Sequence, residues 1–302
     1  MSAPADRASA LAKFDAAANA AANEVISVYS TSFGLATRLL GRRHRQHVRN
    51  IYAMVRVADE IVDGVAAQAG LDAGEQGRQL DAYEAATHAA MRAGYSSDLV
   101  LHAFARTATA AGIAEELTAP FFASMRTDLD AQGGEGGPLC FDAAAHEAYV
   151  YGSAEVVGLM CLAVFVREDH VTGERRETLS RGARSLGAAF QNINFLRDLA
   201  DDTTRLGRSY LAANGRLTPA DHARWITSIR AQLAAADDAI PLLPRDARTA
   251  VRSAHALFSA LTDRLERTAV DDLYRTRVRV PQPRKLALTA GAALRTAAEL
   301  AR

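Results

Sequence analysis

No proline stands between Pro4 and Pro120, and none between Pro138 and Pro219. Both stretches are rich in Ala, Leu, Arg and Glu and poor in alternating β-branched runs, so helix is the regular structure they favour. Strong breakers are few: Gly64 after Asp63, the run Gln132-Gly133-Gly134-Glu135-Gly136-Gly137-Pro138, and Asn214-Gly215. Thr218-Pro219-Ala220-Asp221 has the form of a helix start, with Thr218 as cap and Pro219 at the first helical position. That helix is predicted to run through Trp225 and Ile229 to a stop near Pro241. The pattern implies an all-α chain of roughly ten helices. With no linker and no internal repeat in view, residues 1–302 form one expected domain, of which 1–22 are expected to be poorly ordered.

Composition narrows the function classes. Hydrophobic residues make up 49 % of 302 and charged residues 23 %, ordinary values for a chain that buries a sizeable core. The 35 basic and 35 acidic side chains balance, which argues against nucleic acid as a partner. Cys140 and Cys161 are the two cysteines, too few for a disulfide scaffold or a four-cysteine metal site, and they suit a reducing cytoplasm. The alanine-rich start carries Asp6, Arg7, Lys13 and Asp15 and lacks a signal peptide's apolar core. Val156–Val166, the longest apolar stretch, is too short to span a bilayer, so contact with a membrane is expected to be peripheral.

Two segments carry chemistry. In Ile51–Asp63, Asp59 and Asp63 stand four apart, and Arg56 and Tyr52 fall on the same helical stripe. Two carboxylates one turn apart on a mostly apolar helix repel each other unless a cation lies between them, so removing one charge is expected to relieve strain. In Gln191–Asp202, Gln191, Asn194, Asp198 and Asp202 recur at steps of three, four and four, one helical stripe of oxygen-bearing side chains. Two such helices have the character of facing walls of a hard-cation site. Mg²⁺ takes oxygen ligands, keeps several waters and is completed by substrate phosphate, so a diphosphate held between the walls is the implied ligand. Asp128-x-Asp130 only briefly resembles a calcium loop, because its twelfth position is Leu139. The basic run Arg42–Arg49 is expected to be a solvated helix face, with contact to diphosphate or anionic lipid as the minority reading.

Together these segments resemble the squalene and phytoene synthase family, most closely a bacterial phytoene synthase. Tyr52, Arg56, Asp59 and Asp63 match its first aspartate motif, and Gln191, Asn194, Arg197, Asp198 and Asp202 match Q-x-x-N-x-x-R-D-x-x-x-D. Tyr149–Met160 is similar to the family's pocket-lining helix, Ser30-Thr31-Ser32-Phe33 to its serine-rich entry segment, and Met125 with Asp128, Arg208-x-Tyr210 and Arg277–Lys285 fall in family order. The resemblance implies an isoprenoid-synthase bundle around a central cavity that condenses two isoprenyl diphosphates head to head. Asp59, Asp63, Asn194, Asp198 and Asp202 would be metal ligands, the four aspartates being catalytic. Ser30, Ser32, Tyr52, Arg56, Tyr149, Val157, Gly158, Gln191, Asn194, Arg197, Arg208, Tyr210 and Phe258 would bind substrate. Mg²⁺ is the implied cofactor, Mn²⁺ a substitute, and NADPH is not required.

The expected product is phytoene, from two geranylgeranyl diphosphates through prephytoene diphosphate. Squalene or presqualene diphosphate from farnesyl diphosphate is the alternative, and a non-catalytic assembly protein of the same fold is the rival from another class. Gly152, Ala154, Val157, Gly158 and Leu159 are expected to wall a dry hydrocarbon pocket. The sequence departs from the family at Tyr29, where a small or imidazole side chain is commoner, at Glu155 and Val156 in the pocket helix, and at Phe258, where Tyr is usual. A cytoplasmic enzyme, peripheral to the membrane's inner face, fits these features; the oligomeric state stays open.

Overall fold

Helix dominates the computed structural model, which describes residues 4–30, 32–133, 139–200, 208–209 and 216–300. In chain order the helices are α1 (Pro4–Tyr29), α2 (Ser32–Arg38), α3 (Arg42–Asp63), α4 (Val65–Gln68), α5 (Ala73–Ala93), α6 (Leu99–Ala111) and α7 (Glu115–Gly133). There follow α8 (Ala143–Val150), α9 (Val156–Val166), α10 (Gly173–Arg197), α11 (Pro219–Ala239), α12 (Arg245–Arg267), α13 (Val270–Leu273) and α14 (Gln282–Leu300). Two strands of two residues each, β1 (Leu139–Cys140) and β2 (Arg208–Ser209), pair in parallel with Leu139 opposite Arg208. The start of α11 follows its sequence signal: Thr218 accepts from the Asp221 amide, Asp221 answers at the Thr218 amide, and Pro219 needs no hydrogen-bond partner. Its end, Ala239, is followed by a tight 3₁₀ turn through Pro241.

The amino-terminal stretch departs from expectation. Residues 4–22, expected to be poorly ordered, belong to α1, which buries Ala18 and Ala22 completely against Ala53 of α3 and Ala103 of α6. Small side chains let the helix backbones approach, and the Asp15 carboxylate lies 2.8 Å from the buried ring of His102. The alanines of this start are a packing face.

One apolar cluster joins α3, α5, α6, α7 and α9 through Ile51, Met54, Leu80, Phe104, Phe122 and Met160. A second joins α8, α10, α11 and α12 through Ile193, Leu196, Ile229 and Leu265. α8 and α9 are continuous through a π-helical turn, Tyr151–Glu155. The run Ala143–Val166 is therefore longer than its apolar stretch, and long and apolar enough by composition to cross a membrane, although half of that window is buried inside the fold. Close contacts with α7 and α10 mark it as a core helix. A Cβ on Gly152 would lie 2.2 Å from the Pro120 carbonyl of α7, and one on Gly158 2.5 Å from the Ala183 carbonyl of α10.

α3 starts without a side-chain cap and is held from another helix instead. The Arg43 guanidinium donates to both Asp246 carboxylate oxygens at 2.7 and 3.0 Å, the buried His44 ring lies 3.1 Å from Asp246 Oδ1, and the Gly41 amide donates to the Asp246 carbonyl. Arg43, followed by His44, holds the Asp246 carboxyl well below the usual carboxylate range, while burial pushes His44 down. Asp246→Asn should lower stability by about 1–2 kcal/mol, because it weakens a partly exposed charged pair and leaves Arg43 without its fork partner. A carboxyl depressed by folding stabilises fully above its unfolded pKa of about 4 and loses that contribution as pH falls further. Urea unfolding at pH 7 and pH 3 checks this: the difference between wild type and Asp246→Asn should shrink at pH 3.

Candidate functional site

On α3, Tyr52, Arg56, Asp59 and Asp63 are half-buried along one stripe, while Ile51, Met54, Ala58 and Val62 are buried behind them. On α10, Gln191, Asn194 and Arg197 are half-buried in the same way, backed by Ile193, Phe195 and Leu196. The first polar stripe, and Gln191 and Asn194 of the second, therefore lie at the edge of the apolar core rather than on a solvated face.

Asp198 corrects the second stripe. α10 ends at Arg197, and Asp198 occupies the turn beyond it at φ −101°, ψ 10°, its amide donating to the Asn194 carbonyl. Arg197 grips its neighbour's carboxylate with Nε at 2.9 Å and Nη2 at 2.5 Å, and Arg277 adds Nε at 2.8 Å. Adjacent side chains do not face each other on a helix, so this fork suits a turn. Asp202 and Tyr210 lie outside the described residues. Arg208 is described only through the backbone of β2, and Ser32 through its place at the start of α2.

The first motif is an arginine-centred group. Arg56 Nη1 lies 2.8 Å from Asp59 Oδ2, its Nη2 meets Glu60, and its guanidinium stacks 4.4 Å over the Tyr29 ring. Ser30 hydrogen-bonds the Tyr52 phenol, which burial pushes up against the pull of Arg56. Glu60 was missed in the sequence, although its spacing of four from Arg56 is the ordinary signal of a helical ion pair. Tyr29, a departure from the usual residue, has become the aromatic face that holds Arg56 in place.

Beside both stripes lies an apolar cavity of about 270 Å³, walled by α2, α3, α9, α10, α11 and α12. Val55 reaches it from the first motif's helix, and Gln191 belongs both to its wall and to the second motif. Ala154, Val157, Gly158 and Cys161 line it from the pocket helix. Gly152 does not, because its open side faces α7. Leu159 is also absent from the wall, and Tyr149 is spent elsewhere, its buried hydroxyl donating to Asp128 at 2.7 Å. Phe258 stacks on Phe190 at 3.7 Å, and Phe190 in turn lines the cavity.

Among the described residues, no three His, Cys, Asp or Glu side chains converge on a point. Asp59 and Asp198 are each held by arginines. Their chemistry nonetheless fits a hard cation that phosphate and water complete: every candidate donor is oxygen, and Asn194 Oδ1 is buried with no hydrogen-bond partner.

Residues 26–215 match the family model described as squalene/phytoene synthase. The chain belongs to that family. Among relatives, it is 28 % identical to phytoene synthase 3, chloroplastic, from Zea mays over 90 % of this chain and 65 % of that one. It is 30 % identical to 15-cis-phytoene synthase from Pantoea ananas over 63 % of this chain and 58 % of that one, and 28 % identical to phytoene synthase from Arthrospira platensis over 87 % and 88 %. The chain thus spans under two thirds of the maize and Pantoea proteins. Solved structures share the fold: a dehydrosqualene synthase at TM-score 0.74 and 23 % identity covers 94 % of this chain and 98 % of that one. A squalene synthase from Alicyclobacillus acidocaldarius follows at 0.69 and 18 %, covering 86 % and 95 %. The bundle is the all-α isoprenoid-synthase fold.

Within this squalene/phytoene synthase chain the departure at Glu155 has a structural reason. Glu155, in the π-helical turn, pairs with Arg184 of α10 at 2.6 Å, and that guanidinium lies over the Tyr151 ring. The charge is neutralised across the helix pair that carries the cavity wall.

Proposed function

We propose that this chain joins two isoprenyl diphosphates head to head, taking geranylgeranyl diphosphate to phytoene through prephytoene diphosphate. The observation that carries this reading is the apolar cavity that shares α3 and α10 with two polar motifs, reached by Val55 from one and Gln191 from the other. A molecule with a long hydrocarbon and a charged head matches that division. Phytoene synthases among the relatives support the choice of chain length.

Asp59, Asp63, Asn194 and Asp198 would hold Mg²⁺, with Mn²⁺ as substitute. When bound, the cation supplies charge neutralisation for the diphosphate leaving group. Arg56 and Arg197 now bind Asp59 and Asp198, and an arriving diphosphate competes with those carboxylates for the guanidinium forks. Departure of the diphosphate leaves an allylic cation, which the double bond of the second chain attacks; the new cation loses a proton from the first chain's former C1 as the cyclopropane ring closes, the second chain keeping its own diphosphate. Loss of the second diphosphate opens and rearranges that ring, and loss of a second proton from the resulting cation gives the hydrocarbon's central double bond. Ala154, Val157, Leu186 and Phe190 keep water from both cations. No reductant is needed for this product. The reading places the enzyme in the cytoplasm, against a membrane that receives the hydrocarbon.

Cys161→Phe tests the cavity as the hydrocarbon site. Burial pushes the Cys161 thiol up to about 12, so it sits in the wall as a neutral group and its replacement removes no charge. The ring should fill space that the longer substrate needs. Turnover of geranylgeranyl relative to farnesyl diphosphate should fall at least about tenfold, the discrimination one or more methylenes produce in a tight apolar site. An unchanged ratio in a variant that melts like wild type would remove the substrate chain from this cavity.

A further inference from the structure

Away from the cavity, the end of α12 and the beginning of α14 form a polar cleft of about 400 Å³ lined by Arg264, Arg267, Thr268 and Arg284. None of these four lines the apolar cavity. Among the described residues, none of the three guanidinium groups has an ion-pair or hydrogen-bond partner, and Arg264 Nε is buried from solvent without one. The acidic side chains next to them in sequence are already committed: Arg230 of α11 pairs with Asp263 at 3.1 Å and with Glu266 at 2.5 Å. Arginines at a helix's last turn are ordinarily explained by the negative end of its dipole. That accounts for Arg264 and Arg267 on α12. It does not account for Arg284, which comes from α14 and stands at that helix's positive end.

Three guanidinium groups without an acidic partner converge from two helices, Arg267 and Arg284 exposed to solvent and Arg264 half-buried with one nitrogen shut off from water, so the cleft offers an anion several charge-assisted contacts at once. A carboxylate, with two oxygens and one charge, satisfies one fork. A phosphate group offers more acceptors and more charge, and planar guanidinium forks match it in pairs. We propose that this cleft binds a phosphate group, as free phosphate or as the headgroup of a lipid. The same group can reach the cleft from either source, so both enter the test.

The experiment uses the full chain in metal-free buffer with chelator, so that the aspartate motifs contribute repulsion rather than binding. Inorganic phosphate is titrated by calorimetry, and co-sedimentation is measured with vesicles of phosphatidylcholine alone and with phosphatidic acid added. Wild type should bind free phosphate, or phosphatidic acid vesicles over neutral ones. Arg264→Gln/Arg267→Gln should lose at least about tenfold in that affinity, the share of one charge-assisted contact. Its turnover of isoprenyl diphosphates should stay unchanged, which separates this site from the proposed reaction. Binding to free phosphate only, or to vesicles only, identifies the source; either supports the site. No binding to either, equal binding by the double variant, or loss in Arg277→Gln instead would overturn it, the last by placing the phosphate beside Asp198.

Discussion

Turnover of geranylgeranyl diphosphate should fall to background in excess chelator and return on addition of Mg²⁺ or Mn²⁺. The expectation follows from how the arginines are occupied. Arg56 is shared between Asp59 and Glu60, and Arg197 and Arg277 both close on Asp198. Their charge is largely spent on carboxylates, so the protein alone has little net positive charge to offer a departing diphosphate. Neutralising that leaving group by side chains would mean stripping several ion pairs at once, each costing more as water is excluded. The assay is release of diphosphate with chelator, then with each cation restored. Full activity in excess chelator would leave the aspartate motifs without their assigned role.

Asp198→Asn should lower turnover at least about a hundredfold, since metal stabilisation of leaving-group charge is worth several kcal/mol. The substitution keeps size and shape and removes the charge on a side chain at the edge of the core. Its effect on folding should be small. Asp198 meets two arginines in a half-exposed turn, and such pairs contribute about 1 kcal/mol or less. A large fall in kcat with a nearly unchanged melting temperature would therefore mark a functional carboxylate. Loss of activity only in proportion to the unfolded fraction would make it a structural one.

The two aspartate motifs show where sequence periodicity was sufficient and where it failed. The spacing of Asp59, Asp63, Gln191 and Asn194 placed them on half-buried stripes, because helical period is a property of the chain itself. The partners of those side chains are not. From the sequence, two carboxylates a turn apart implied repulsion; in the structure Arg56 answers one and Arg197 with Arg277 answers Asp198, so neutralising Asp198 loses attraction instead of relieving strain. The break in α10 was equally hidden, since nothing in the period of Gln191, Asn194 and Asp198 signals that an adjacent arginine will fork onto the last of them. Glycines were the other blind spot. Gly152 and Gly158 both suggested space for a substrate, yet each marks the close approach of a second helix, and only Gly158 also touches the cavity. A ring at Gly158 would strike the α10 backbone before it reached a substrate, and this is why Cys161 is the better probe of chain length. The proline-free stretches did fix the helical class, and the Thr218 cap fixed the start of α11 to the residue.

The central claim is that two isoprenyl diphosphates are joined head to head. The direct measurement incubates the purified full chain with geranylgeranyl or farnesyl diphosphate and Mg²⁺, with and without NADPH, and identifies the hydrocarbon by mass spectrometry. Phytoene from geranylgeranyl diphosphate, in equal amount with and without NADPH, is the expected result. Squalene formed from farnesyl diphosphate only when NADPH is present would contradict the assigned product, and the absence of any coupled hydrocarbon from either substrate would contradict the reaction itself.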